Sequence, residues 1–452
     1  LKLSGIFLAL LLITNPVVAS DTVATSRFLA EAALASNGSW DVLWYLTDVV
    51  GPRLSGSKGA DQAVEWTSGT MREWGLFVRQ QPVMVPVWVR GEETAVLVSH
   101  GNRKVYVTAL GQSIATPSAG IEAEVIEAAS LDDLAALGDA VKGKIVLVNE
   151  VMDPVLVSQH RAMEAYGAAV RQRGRGASVA ASQGALACVV RSVTTRSLRT
   201  PHTGALNYDK TMPKIPAGAV STEDADLIHR LLARGETVRM RLVLTPKTLP
   251  DTRSANVIAE IPGRENPEEI VVIGGHLDSW DLGTGAIDNG AGVAITMETM
   301  RLIHEMGLQP RRTIRAVLFM NEENGLKGAT AYEASVHGDL WRHVAAVEHD
   351  SGVGRPMGFR TTLSVEEIEQ LEPWLVVLDE LGAGQLVPSR QTGADTSPLT
   401  KRCVTGFGAA PENDTYFDHH HAASDTLDKV DPELLKRNAA AFAALTWVLA
   451  DK

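Results

Sequence analysis

Hydrophobic residues recur at helical spacing at Phe28, Leu29, Ala32 and Leu34, and again at Val42, Leu43 and Leu46. This predicts a helical N-terminal stretch that stops at Gly51-Pro52. A polar loop, Gly51-Pro-Arg-Leu-Ser-Gly-Ser57, leads to a second helical stretch from Ala60 to Trp74. Between about residues 116 and 245 the pattern shifts to short strand-like runs. Ile145 to Val148 and Ala185 to Val190 are apolar, and Val238 to Leu244 alternates. Ser221 and Asp224 have capping-box spacing ahead of a helix that ends near Gly235. No cluster of titratable residues stands out here, so the stretch reads as an inserted α/β module without chemistry of its own.

From residue 246 onward strand and helix patterns alternate, which implies a mixed, mainly parallel sheet flanked by helices. Ile270 to Ile273 is apolar throughout, as in strands buried on both faces. Val293, Met297, Met300 and Ile303 mark a helix face, and Thr313 to Met320 and Val344 to Val347 are the next strands. Asp431 followed by Pro432 is suited to open a C-terminal helix.

Polar residues follow each of the three strands: His276, then Glu322 and Glu323, then Asp350. In an open α/β sheet, ligands bind in the crevice at the carboxyl ends of the strands. Three strand ends therefore deliver these groups to one edge. Singly, each has a plainer reading. Glu322-Glu323 reads as a solvated pair, Asp288 as a turn residue before a helix, Asp350 as a cap, and His419-His420-His421 as a surface patch. Their joint placement argues for a metal centre. Imidazole and carboxylate without thiolate suit zinc, with cobalt or manganese as alternatives. Two neighbouring ions need a bridging carboxylate, and Asp288 in its Gly-rich turn fits that part. Asp278 is expected to accept the other ring N–H of His276. Hydrolysis also needs a base that is not a ligand. Adjacent glutamates divide the tasks, Glu323 binding and Glu322 acting as base.

A chain of 452 residues predicts two domains. A net charge of −12 argues against a nucleic-acid partner. At the N-terminus, Lys2, the apolar run Ile6 to Ile13 and the small residues Val17-Val18-Ala19 read as a signal peptide cut near Ala19-Ser20. The run is too short to span a bilayer, so the mature protein is expected to be secreted or periplasmic, without a membrane partner. Cys188 and Cys403 are the only cysteines, and two free buried thiols or one bridge both remain open.

The segments Gly275-His-Leu-Asp-Ser-Trp280, Gly285-Ala-Ile-Asp-Asn-Gly290, Asn321-Glu-Glu-Asn324 and His421-Ala-Ala-Ser-Asp-Thr426 resemble the co-catalytic zinc peptidases of family M28. Gly51 to Ser57, Arg90-Gly-Glu-Glu93 and Pro201-His-Thr-Gly204 narrow the resemblance to a carboxypeptidase subgroup. It implies a zinc-exopeptidase (phosphorylase/hydrolase-like) catalytic domain over residues 20–115 and 246–452, interrupted by a protease-associated-like domain over 116–245. It also implies two zinc ions, one held by His276, Asp288 and Asp350 and the other by Asp288, Glu323 and His421, with Glu322 as base. A homodimer acting on dipeptides or short peptides is expected. Aminopeptidase action is the alternative; glutaminyl cyclisation and a non-catalytic binding role stand further off. Two departures matter. Asn289 stands where many relatives have Asp, and His420 where some have a Tyr that donates to the oxyanion. His420 is expected to take over that donation.

Overall fold

The computed structural model describes residues 22–452. The expected signal sequence and its cleavage point lie outside the described residues. Among the described residues, no helix is long and apolar enough to cross a membrane.

The apolar run at Ile270 lies within the strand Asn266–His276, at the centre of an eight-stranded sheet. Its spatial order is Phe77–Val89, Lys247–Ile261, Arg312–Phe319, Asn266–His276, His343–Glu348, Thr405–Pro411, Pro356–Thr361 and Gln385–Pro388. The four central strands are parallel. The chain places Arg312–Phe319 on one side of the central strand and His343–Glu348 on the other. Strand order reverses there, so a crevice opens at the carboxyl ends of those strands.

Helix Ala291–Glu305 is buried almost all round, because it packs between the sheet and the helices Thr22–Ala35, Gly38–Trp44 and Pro432–Asp451. The expected cap holds: the Asp431 carboxylate accepts from the N–H groups of Glu433 and Leu434, with Pro432 in the first turn.

A second eight-stranded sheet forms from residues lying between two neighbouring strands of the first. Val89 and Lys247 are register partners, so the chain leaves the large sheet and returns to it at one point. This second sheet takes in Glu93–Leu97, Arg103–Val105 and Val107–Ala109, upstream of the boundary at 116 expected from the sequence. The reason is long-range pairing: Glu93–Leu97 hydrogen-bonds antiparallel to Arg239–Leu244, a partnership short strands do not announce. Cys188 is buried and Cys403 exposed, and both are free.

Candidate active site

His276 is the last residue of the central strand, opposite Phe319. Glu322 and Glu323 follow the strand on one side, and Asp350 follows the strand on the other. Asp288 joins them from the turn before helix Ala291–Glu305, and His421 from the loop after Thr405–Pro411. The Asp288 carboxylate is shared: Oδ1 lies 3.1 Å from His276 Nε2 and Oδ2 lies 3.2 Å from His421 Nε2. Asp350 Oδ1 is 3.6 Å from His276 Nε2, and Glu323 Oε2 is 3.1 Å from His421 Nε2.

The turn that carries Asp288 is held from three sides. Asp425 Oδ1 accepts from the N–H groups of Ala286 and Ile287, each at 2.8 Å. The fully buried Arg53 donates to the carbonyls of Leu46, Gly51, Leu277, Thr284 and Gly285. Burial lowers its pKa to about 10, with Asp425 and Asp278 opposing. Gly292 must be small, since a Cβ there would sit 2.1 Å from the His349 carbonyl. Neither Arg53 nor Asp425 was assigned a role from the sequence. Both stand inside the segments quoted above, but nothing local marks them as buried staples.

Asp278 departs from its expected role. His276 Nδ1 bonds the Asp278 backbone carbonyl at 2.9 Å, while the carboxylate stands 3.8 Å away. That carboxylate instead accepts from the N–H groups of Asn321 and Glu322, which orients the strand end bearing the two glutamates. Two orphan backbone donors outcompete an imidazole that already has a carbonyl within reach.

The second module also reaches the site. Thr203 N–H donates to the His421 carbonyl at 2.9 Å, and His421 Nδ1 lies 3.3 Å from the Thr203 carbonyl. Arg173 Nη1 lies 3.2 Å from that same ring nitrogen and Nη2 donates to the Tyr166 hydroxyl at 2.8 Å. In return the indole of Trp280, from the loop before Asp288, packs into the core of the second module. The backbone N–H of Trp280 meanwhile donates to Glu323 Oε1 at 3.0 Å.

His420 stacks on His421 with ring centroids 3.6 Å apart, and its Nε2 is 3.4 Å from Asp288 Oδ2. His419 turns away to Ser424, 3.0 Å from its hydroxyl. The triplet is therefore divided, with two imidazoles in the site and one outside it.

Burial alone would lower the pKa of His276, but hydrogen bonds to Asp288 and Asp350 hold it well above its usual value. Burial would raise Asp288, and the bonds from His276 and His421 override it, keeping that carboxylate well below its usual range. Glu322 and Glu323 are both pushed well up by burial, with the neighbouring carboxylates adding and His276 opposing. Burial lowers His420 and His421. The cluster concentrates negative charge that its own imidazoles do not offset. Close behind it, Asp395 is likewise held well above its usual value by burial and by Glu348, and neither of its carboxylate oxygens has a hydrogen-bond partner.

These donors fit divalent metal. Asp350 Oδ1 is buried without a hydrogen-bond partner. Oxygen and nitrogen ligands about 2.0–2.2 Å from a tetrahedral ion stand roughly 3.3–3.6 Å from one another, close to the separations above. Atoms of His276, Asp288 and Asp350 converge within 4.8 Å, as do those of Asp288, His420 and His421. The cluster opens on a cavity of about 500 Å³ that also reaches Tyr166, Arg173, Arg360, Arg390 and Lys401.

A parallel-centred α/β sheet with this donor set at its strand-order reversal has the build of a metallohydrolase. The chain belongs to peptidase family M28. The profile of that family matches residues 256–446. Human carboxypeptidase Q is 37% identical over 424 residues, spanning 94% of this chain and 87% of that protein. The bovine protein is 37% identical over 418 residues, 92% of this chain and 86% of the other. The solved structure of a peptidase M28 precursor from Shewanella amazonensis superposes with a TM-score of 0.92 at 37% identity, covering 95% of this chain and 97% of that one. A zinc aminopeptidase from Bacillus subtilis shares the fold, with a TM-score of 0.66 at 19% identity over 92% of this chain and 95% of its own. The chain is a metallopeptidase, and peptides are its substrates.

Proposed function

We propose that this protein is an exported dizinc exopeptidase that removes the C-terminal residue of dipeptides and short peptides. The lining of the cleft carries the reading. Every carboxylate facing it, Asp288, Glu322, Glu323 and Asp350, belongs to the metal cluster, whereas the rest of its lining includes the cations Arg360, Arg390 and Lys401. Such a lining suits a free carboxylate and offers nothing for a free amine. Aminopeptidase action is the second reading, favoured only by the shared fold of the zinc aminopeptidases.

In this scheme His276, Asp288 and Asp350 would hold one zinc, and Asp288, Glu323 and His421 the other; cobalt or manganese would suit the same donors. Bound there, the pair supplies Lewis acidity toward the scissile carbonyl and acidifies the attacking water. Glu322 adjoins the cluster, and its side chain has no ion-pair partner among the described residues. It takes the proton from the attacking water and passes it to the departing amine. His420 donates to the developing oxyanion. Asp278 and Trp280 set the two glutamates through backbone hydrogen bonds, and Arg53 and Asp425 set the Asp288 turn. The same reading takes the second module as a protease-associated domain over the cleft and a homodimer as the working assembly.

One experiment tests it: a dipeptide panel with either terminus blocked, assayed on purified protein with its metals quantified. We expect two metals per chain, activity lost on exhaustive chelation and restored by zinc, and tolerance of a blocked amine but not of a blocked carboxylate. Peptide cleavage by fully metal-free protein would overturn the metal assignment. The opposite blocking pattern would establish the aminopeptidase reading.

A further inference from the structure

The cleft does not end at the carboxylate cluster. It adjoins a side cavity of about 310 Å³ between the second module and strand Pro356–Thr361, and Met163 and Arg360 line both spaces. Met163, Met357, Ala410 and Pro411 give this cavity an apolar wall. Three of the four basic side chains around it lie against acids. His160 Nδ1 lies 2.7 Å from Asp414, Arg161 Nη2 lies 2.7 Å from Glu164, and Arg355 Nε lies 3.4 Å from Glu412.

Arg360 is the exception. Its Nη2 donates to Ser351 Oγ at 2.9 Å and approaches the Ala409 carbonyl at 3.5 Å, while its Nε is buried with no partner. Burial pulls its pKa below the usual value, and Asp350 and Glu348 offset this only from a distance. Arg90 has Asp281 and Glu93 in hand and Arg191 has Asp226, while the fully buried Arg53 fills its guanidinium with five backbone carbonyls; Arg360 has neither a carboxylate nor such a set of carbonyls. A buried guanidinium without a counter-ion is costly unless something supplies one. A carboxylate meets its fork in bidentate geometry.

Its position points to whose carboxylate that is. Ser351, which anchors Arg360, directly follows Asp350, one of the residues converging on His276. A residue beyond the scissile bond spans about 3.3–3.6 Å. Its terminal carboxylate therefore falls in the region just outside the cluster. Resting on the exopeptidase reading above, we propose that Arg360 and the cavity behind it form the subsite for the substrate's C-terminal residue. The guanidinium binds the free carboxylate, and the Met163–Met357 wall takes a large apolar side chain. Flexible thioether walls adapt to chains of differing shape, so size and polarity are selected more than exact form.

The test compares C-terminal free acids with their amides, and large apolar with small C-terminal residues, in wild type, Arg360→Met and Arg360→Lys. Metal content and thermal melting establish that each variant is folded and loaded. Wild type is expected to prefer the acid and the large apolar residue. In Arg360→Met the acid-to-amide ratio of kcat/KM should fall by about 10-fold to 100-fold, chiefly through KM, and Arg360→Lys should recover part of it. Met357→Trp should move the preference toward Gly and Ala. As a readout free of turnover, Glu322→Gln protein should bind the acid more tightly than the amide by calorimetry, and Arg360→Met in that background should abolish the difference. Acid and amide treated alike by wild type, or an unchanged ratio in Arg360→Met, would overturn the subsite and leave the peptidase reading standing. A loaded wild type that cleaves no peptide would instead overturn the reading on which it rests.

Discussion

Replacing Arg53 by Met removes a guanidinium that lies entirely inside the protein and donates to five backbone carbonyls. Two of those carbonyls keep another donor: Leu46 accepts from Gly51 N–H and Gly285 from Gly290 N–H. The carbonyls of Gly51, Leu277 and Thr284 have Arg53 as their only donor among the described residues. Each buried acceptor left unsatisfied costs about 1–3 kcal/mol. Three of them set an expected loss of about 3–9 kcal/mol, nearer the lower figure if water enters. The loss should concentrate where two of those three carbonyls are, in the segment 277–285 between His276 and Asp288. Metal retention and kcat/KM should therefore fall even where the rest of the chain stays folded. Urea unfolding, metal stoichiometry and activity on one preparation measure all three. Arg53→Lys, with one compact donor in place of a fork, should recover only part. A change in stability below about 1 kcal/mol with metal content intact would refute the reasoning, since it would mean the turn holds its shape without the guanidinium.

Glu322→Gln should keep its metals and lose roughly 10²-fold to 10⁴-fold in kcat; near-normal turnover would remove Glu322 as the base. His420→Ala should keep its metals and lose about 10²–10³ in kcat. A kcat within about threefold of wild type would end the oxyanion role, and loss of one ion would make His420 a ligand. His343 is buried against the Tyr332 hydroxyl at 3.0 Å, and burial with Arg315 lowers its pKa from 6.5 to about 4. A histidine depressed in the folded state favours folding above its unfolded pKa, and that stability drains away as pH falls from 6.5 toward 4. His343→Gln should flatten this acid limb by up to roughly 3 kcal/mol, and an unchanged slope in denaturation at pH 7 and about pH 4.5 would show that the ring is not what titrates.

Much of the large sheet was legible because it obeys simple rules. A strand buried on both faces has to be apolar, so Ile270–Ile273 declared itself, and a helix opening on Asp431-Pro432 carries its own cap. The strand ends followed, and with them the convergence of His276, Glu322, Glu323 and Asp350. The long antiparallel strands Phe77–Val89 and Lys247–Ile261 did not show. The first half of Lys247–Ile261 is largely solvent-facing and that of Phe77–Val89 mostly half-buried, Pro82 and Pro86 interrupt the latter, and each strand is stabilised by the other across a great sequence separation. For the same reason the second module was given a start at 116, when its first strand pairs with its last. Arg173 and Thr203 were hidden in that module because their purpose lies in His421, which no local pattern links to them. Asp278 was half legible: its place beside His276 was right, but a carbonyl does the work expected of its carboxylate.

The facing of Val89 and Lys247 has a further consequence. In chain topology the whole second module is the loop of a hairpin. Closing that hairpin with a short turn would remove the module and leave every strand of the large sheet in place. Such a shortened chain would still lose its centre: the indole of Trp280 would be bared to water, and the ring of His421 would have neither Thr203 nor Arg173 to fix its angle. The module is dispensable to the architecture and indispensable to the chemistry, so an excised form should fold around a site it cannot hold.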